Sequence, residues 1–171
     1  MREEIPTFGV ILRAAYHFLR RILLRAQWWT VDIWETIHRP SGTRFPPAKL
    51  RYKIGESVRR SNFREVGRRT VDNLRRTLAT IGFDLRSEMA VLDFGCGCGR
   101  TLIFISALSP DANWFGTDVD EEAIVWCRRH FPRITFTVNE ANPPLAFPGA
   151  SFDLIYAVSV FTHLNAISSH G

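Results

Sequence analysis

Three stretches of sequence, taken in order, predict an α/β fold built on parallel strands. Residues 91–100, VLDFGCGCGR, form an apolar run that ends on Asp93, passes through three glycines spaced one apart, and enters a helical stretch over 101–108. Residues 114–120, WFGTDVD, repeat the pattern: a strand ends at Asp118, and a helix follows to roughly residue 130. The run LIYAVSV, opened by Phe152 and Asp153, is apolar throughout, as expected of a parallel strand buried on both faces. Strands alternating with helices at this spacing are Rossmann-like, and they place a ligand in the crevice beyond the carboxyl ends of the strands.

The elements before the first strand are helical. Residues 8–34 are strongly apolar, but arginines interrupt them too often for a membrane span of about 20 residues. Wound as a helix, Arg13, His17, Arg20, Arg21 and Arg25 fall close to one face, leaving Leu12, Ala15, Phe18, Leu19, Ile22 and Leu23 on the remainder. Such a basic amphipathic helix docks its apolar side on the domain or a partner, or lies on an anionic membrane surface. A poorly ordered arm is the third reading. The start MetArgGluGlu, with no small-residue cleavage site after it, does not read as a secretory signal. ProSerGly at 40–42 and ProPro at 46–47 mark an irregular connection, so the chain divides into an accessory segment, 1–60, and a core, 61–171. Within the core, Phe63, Val66, Val71, Leu74, Leu78 and Ile81 recur at helical spacing, and Gly82 is placed to end that helix.

The glycine spacing decides what kind of ligand is expected. A dinucleotide fingerprint, G-x-G-x-x-G, requires glycine where this chain has Arg100; here the glycines are Gly95, Gly97 and Gly99. They allow a sharp turn and close backbone approach, while Asp93 leaves a carboxylate at the strand end, which repels a pyrophosphate and attracts a cation. Asp118, about 23 positions after Gly95, stands where an acid can accept hydrogen bonds from both hydroxyls of a ribose. Asp120 precedes GluGluAlaIle and reads as a helix cap, with Glu121 and Glu122 complementing the helix dipole.

The D-x-G-x-G-x-G arrangement resembles the first motif of class I S-adenosylmethionine-dependent methyltransferases, whose ligand carries a sulfonium and an ammonium but no phosphate. Further matches run in the expected order through roughly residues 89–165. ThrPheThrValAsnGluAlaAsnProPro resembles the segment that meets the adenine, with Asn139 preferred over Asn142 for the contact, and Phe152–Asp153 resembles the dipeptide that opens the fourth strand. ProProAlaLysLeuArgTyrLysIleGlyGlu, AsnProProLeu and SerValPheThrHisLeu are similar to a bacterial subgroup often associated with glycan or cell-surface genes. The resemblance implies S-adenosylmethionine as cofactor, held by Asp93, Phe94, Gly95, Gly97, Gly99, Asp118, Val119, Asn139 and Ser159. It makes His163 the candidate catalytic base and Arg51, Tyr52 and Lys53 candidate lid residues, though ordinary surface positions suit those three better. The family's sheet has seven strands in the order 3-2-1-4-5-7-6, and four are found here. The class I methyltransferase sheet is therefore expected to be incomplete, truncated after the fourth strand, with that strand left as a long apolar edge.

Composition limits the rest. Residues 1–88 hold 18 basic and 9 acidic side chains, and residues 89–171 hold 4 and 8, so the net charge of +5 sits wholly outside the cofactor-binding half. Arginine supplies nearly all of it, which suits an anionic lipid or an acidic substrate; nucleic acid is not expected. Cys96, Cys98 and Cys127 are too few for a disulfide framework, which fits a cytoplasmic protein, membrane-peripheral under the second reading of residues 8–34. No second cysteine pair or histidine cluster supports a metal. The functional expectation is methyl transfer to an unidentified acceptor, small-molecule or glycan-related. The alternatives are a non-catalytic binding or scaffold remnant and a nicotinamide-dependent oxidoreductase.

Overall fold

In the computed structural model the described residues are 8–38 and 45–160. They divide into two compact units, Met1–Val58 and Arg59–Gly171.

The first unit is a helix pair. α1 spans Phe8–His38 and α2 spans Ala48–Gly55. Trp28, Asp32 and Glu35, spaced four and three apart, lie on one face of α1, and that face receives α2. The Ala48 amide donates to Asp32 Oδ1 at 2.8 Å, and the Trp28 and Tyr52 rings meet at 5.7 Å. Arg51 Nη2 bonds Glu35 Oε2 at 3.0 Å, its Nε donates to the Val58 carbonyl at 2.7 Å, and its Nη1 donates to the Pro46 carbonyl. Arg51 is only 2% exposed and Glu35 7%. Two buried charges persist where each is paired and its remaining hydrogen-bonding groups are met. The expectation of a surface or lid arginine at 51 is thereby corrected: its guanidinium is the internal tie between the two helices. Lys53 is exposed.

The second unit begins with α3, Arg60–Thr80, which buries Phe63, Gly67, Val71 and Leu78. A Cβ on Gly67 would meet the Phe104 ring at 2.5 Å and the Arg100 carbonyl at 2.7 Å, so glycine here lets α3 lie directly on the chain beyond the glycine loop. The helix ends in a Schellman motif: Gly82, at φ 67°, bonds its N–H to the Ala79 carbonyl, and the Phe83 N–H reaches the Leu78 carbonyl. Ile81, the last residue of the helical spacing, is the cap residue and is 70% exposed, because the helix has already ended there.

A four-stranded parallel sheet follows, formed by β1 (Ala90–Phe94), β2 (Asn113–Asp118), β3 (Thr135–Val138) and β4 (Leu154–Ala157). Its order is β3-β2-β1-β4, the first half of the expected Rossmann-like methyltransferase sheet. α4 (Leu102–Ser106) connects β1 to β2, and α5 (Glu121–His130) connects β2 to β3. The core unites Val71 of α3, Val91 of β1, Leu102 and Ile105 of α4, Trp114 of β2, Ile124 and Cys127 of α5, Phe136 of β3 and Tyr156 of β4. The start of β4 is tied to the start of β1 in both directions: the Asp153 N–H donates to the Ala90 carbonyl at 2.9 Å, and the Ala90 N–H to Asp153 Oδ2 at 2.8 Å. Among the described residues β4 borders β1 alone, and Ile155 is 57% exposed. The expectation that this strand is buried on both faces is corrected on that side.

Candidate functional site

The parallel register builds the site. Tyr156, Asp93, Gly116 and Phe136 are successive partners across β4, β1, β2 and β3, so these positions form one row on one face of the sheet. Gly116 makes room in that row, since a Cβ there would meet the Phe136 ring at 2.9 Å and Cys96 Sγ at 3.0 Å. Asp93 is 2% exposed. Burial, with the Asp118 charge adding to it, pushes its carboxyl up from an ordinary 3.8 to about 7, against the lowering influence of the neighbouring Tyr156 hydroxyl. That hydroxyl is buried beside Asp93 and makes no hydrogen bond of regular geometry among the described residues. Its own acidity is suppressed, chiefly by burial and then by the Asp93 charge.

Beyond Asp93 the chain turns through Gly95, Gly97 and Gly99, all in the left-handed region at φ 75°, 53° and 76°, where a side chain costs about 1–2 kcal/mol. At Gly95 the restriction is also spatial, because a side chain would occupy the place held by Val160. The amides of Gly95 and Cys96 both donate to the Thr117 carbonyl, at 2.8 and 3.0 Å, so the loop begins by following β2. The Gly97 amide then donates to Asp118 Oδ2 at 2.7 Å, and the Asp120 amide to Asp118 Oδ1 at 2.9 Å. A carboxylate has about four acceptor positions; Asp118, half-buried, keeps capacity on both oxygens for further donors. Asp120 caps α5, its Oδ1 accepting from the Ala123 amide.

Asn139 follows β3 directly. Its amide N–H donates to the Asp118 carbonyl at 3.1 Å, its Oδ1 accepts the Thr117 hydroxyl at 2.9 Å, and its Nδ2 donates to the Glu140 carbonyl at 2.7 Å. Asn142 is exposed. Phe94 and Gly95 are half-buried, Gly97 and Gly99 are buried, and Val119 is 58% exposed beside Asp118. Ser159 is exposed and holds a left-handed φ of 59° just before Val160. Hydrogen bonds and packing therefore bring Asp93, Gly95, Gly97, Asp118, Asn139 and the Ser159–Val160 turn to the carboxyl ends of the four strands. Gly99 instead bonds Cys96 and turns the chain toward α4. His163 lies outside the described residues.

Sequence reasoning missed Tyr156, Thr117 and Gly116. The signal for Tyr156 was available: aligning Asp153 with Ala90 at the strand starts puts Tyr156 level with Asp93. The three cysteines are free and buried, and burial pushes the Cys96 and Cys127 thiols well above their ordinary range. Among the described residues no group of three or more His, Cys, Asp and Glu gathers to hold a metal ion. A separate surface cleft of about 620 Å³ follows α3, lined by Arg64, Arg68, Arg69 and Arg76 with Glu65 and Asp72, and it shares no residue with the strand ends.

The site fits a cationic nucleoside on its own chemistry. The Gly97 amide of the glycine loop bonds Asp118, Asp93 stands on the adjacent strand, and neither carboxylate forms an ion pair among the described residues. Residues 91–169 match the family model described as a methyltransferase domain. Solved structures with similarity to the chain include the plantazolicin methyltransferase BpumL, in complex with a pentazolic desmethylPZN analog and SAH. It shows 30% identity over 39% of this chain and 26% of its own, with a TM-score of 0.34. A TehB-like SAM-dependent methyltransferase from Corynebacterium glutamicum shows 26% identity over 56% of this chain and 59% of its own, at a TM-score of 0.37. This chain thus spans about a quarter of the first and under two thirds of the second.

Proposed function

We propose, from the premise that residues 91–169 carry a methyltransferase domain, that the protein binds S-adenosylmethionine at the strand ends and takes part in methyl transfer to a small-molecule or glycan-related acceptor. The observation that carries this reading is the pair of carboxyl groups, Asp93 and Asp118, on adjacent strands beside the glycine loop, without an ion-pair partner among the described residues. Two acidic groups so placed repel a pyrophosphate, and the ionised form of Asp93 is favoured by a ligand bearing positive charge. The free acceptor positions of Asp118 suit the two ribose hydroxyls, and the remaining N–H and lone pair of the Asn139 amide suit an adenine edge. Gly95, Gly97 and Gly99 keep side chains out of the path, and buried Asp93 supplies negative charge beside the cationic part.

When bound, the cofactor would supply a sulfonium-activated methyl for in-line displacement. The protein's own contribution is position and orientation, which in reactions of this kind supply most of the rate. Proton acceptance by His163 belongs to the same proposal, and unchanged turnover of His163→Ala across pH would remove it.

The test is a thermal melt of the chain with S-adenosylhomocysteine, with NADH as control. A ligand at a hundred times its Kd stabilises the native state by about 2.7 kcal/mol, so a clear rise in Tm is expected with S-adenosylhomocysteine alone. Asp118→Asn is expected to weaken binding about 30-fold, the worth of charge-assisted hydrogen bonds of about 2 kcal/mol. A shift with NADH alone would make the site an oxidoreductase's. A cooperative melt moved by neither ligand would leave a binding protein without the cofactor.

A further inference from the structure

We infer that α1 is a membrane-surface helix, lying flat in the headgroup layer of an anionic bilayer with its apolar side inserted and its arginines among the lipid phosphates. At about 100° per residue, Phe18, Ile11, Trp29, Ile22, Leu19 and Leu23 fall within an arc of roughly 160°, which Ile33, Ile37, Leu12, Tyr16 and Trp34 also occupy. These side chains are exposed, Leu23 by 69%, Trp29 by 68% and Ile37 by 67%. The other described helix of the same unit, α2, sits on the opposite side, on Trp28, Asp32 and Glu35.

Charge selects the occupant. Arg13 and Arg20 lie beyond one margin of the arc, Arg21 and Arg25 beyond the other, and no acidic residue occurs from Phe8 to Val31. Arginines on both flanks of an apolar face, with aromatic rings in it, match a bilayer surface carrying anionic headgroups. A second copy of α1 would bring arginine against arginine without a carboxylate between, and the arc is far wider than the a/d seam that helix pairs use. A transmembrane placement is also disfavoured, since among the described residues no helix is long and apolar enough to cross a membrane. At 1.5 Å per residue the 31 residues give roughly 45 Å of contact in the plane.

The experiment is co-sedimentation of the whole chain with vesicles of phosphatidylcholine alone or with one-third phosphatidylglycerol, read together with quenching of tryptophan emission by bromine-labelled acyl chains. Anionic vesicles are expected to bind at least tenfold more strongly than neutral ones, and Trp29→Phe with Trp34→Phe should remove most of the quenching. Arg20→Gln with Arg21→Gln should lower the anionic affinity roughly 30-fold, and Leu19→Glu should abolish insertion. Equal binding to both vesicle types, or no binding, would overturn the inference. So would a stable dimer in light scattering that Leu19→Glu dissolves and vesicles leave intact. The S-adenosylhomocysteine melt on the same samples reports separately on the cofactor site.

Discussion

The α1–α2 unit buries an ion pair while leaving many of its large apolar side chains outside, whereas the sheet unit buries its aliphatic side chains and keeps most charge at the surface. In the helix pair the buried residues include Arg51 and Glu35, while Leu23, Trp29 and Ile37 of the same unit are open to solvent. In the sheet unit Val91, Leu92, Leu102 and Ile124 are fully buried, and the one buried acid among the described residues, Asp93, is at the candidate site. The contrast teaches that burial follows available partners. Arg51 is internal because a carboxylate and two carbonyls meet it. Asp93 is internal with no ion-pair partner among the described residues, and its shifted ionisation, caused chiefly by burial, records that difference.

The sharpest way to break the contrast is Arg51→Met. It takes the Arg51 guanidinium away from the buried Glu35 carboxylate, a loss of about 3 kcal/mol. Amide exchange along α2, from Leu50 to Ile54, should accelerate about a hundredfold. Arg51→Met combined with Glu35→Leu should recover most of the loss, because neither charge of the pair then remains buried. Equal exchange rates in the wild-type and single-variant proteins would show that the ion pair does not hold the helices.

A smaller effect comes from Asp93 and has opposite signs with and without ligand. Its carboxyl titrates at about 7 in the fold and near 3.8 in an unfolded chain. Between those values the native state holds the extra proton. Its contribution to stability is therefore complete below about pH 4 and is lost as pH rises through 7, by at most about 1.4 kcal/mol per pH unit. A cationic ligand needs the ionised form, so S-adenosylmethionine affinity should fall below pH 7 by up to tenfold per unit. Melts and titrations from pH 5 to 8 would show both trends, and Asp93→Asn should flatten them together.

Much of the site was legible because glycines and strand-end acids are punctuation that local sequence displays. Asp93, Gly95, Gly97, Asp118 and the Asp120 cap all follow from spacing and turn chemistry. Asn139 was preferred over Asn142, and its bonds to Thr117 and to the Asp118 carbonyl explain why position 139 lies at the strand end. Tyr156 was hidden because an aromatic residue in an apolar run looks like core until the register sets it beside Asp93. Arg51 was hidden because its partner lies 16 residues away on another helix, and nothing in a local window shows that a guanidinium has found a buried carboxylate. The exposure of Ile155 was hidden for a related reason: composition reports that a strand can be buried, not which neighbours are there to bury it.

The contact of Val160 with Gly95 has a consequence for the order in which the site is built. β1 and β2 can pair early, carrying the Gly97–Asp118 bond with them, because few residues separate them. β4 is fastened at its start by Asp153 to Ala90, a closure across 63 residues, and longer closures are entropically slower. Only after that closure does Val160 come to rest on Gly95. The Gly95 side of the loop is thus completed by a residue that β4 delivers, and a chain emerging from the ribosome is expected to close it only when residue 160 has cleared the exit, however early its first two strands had formed.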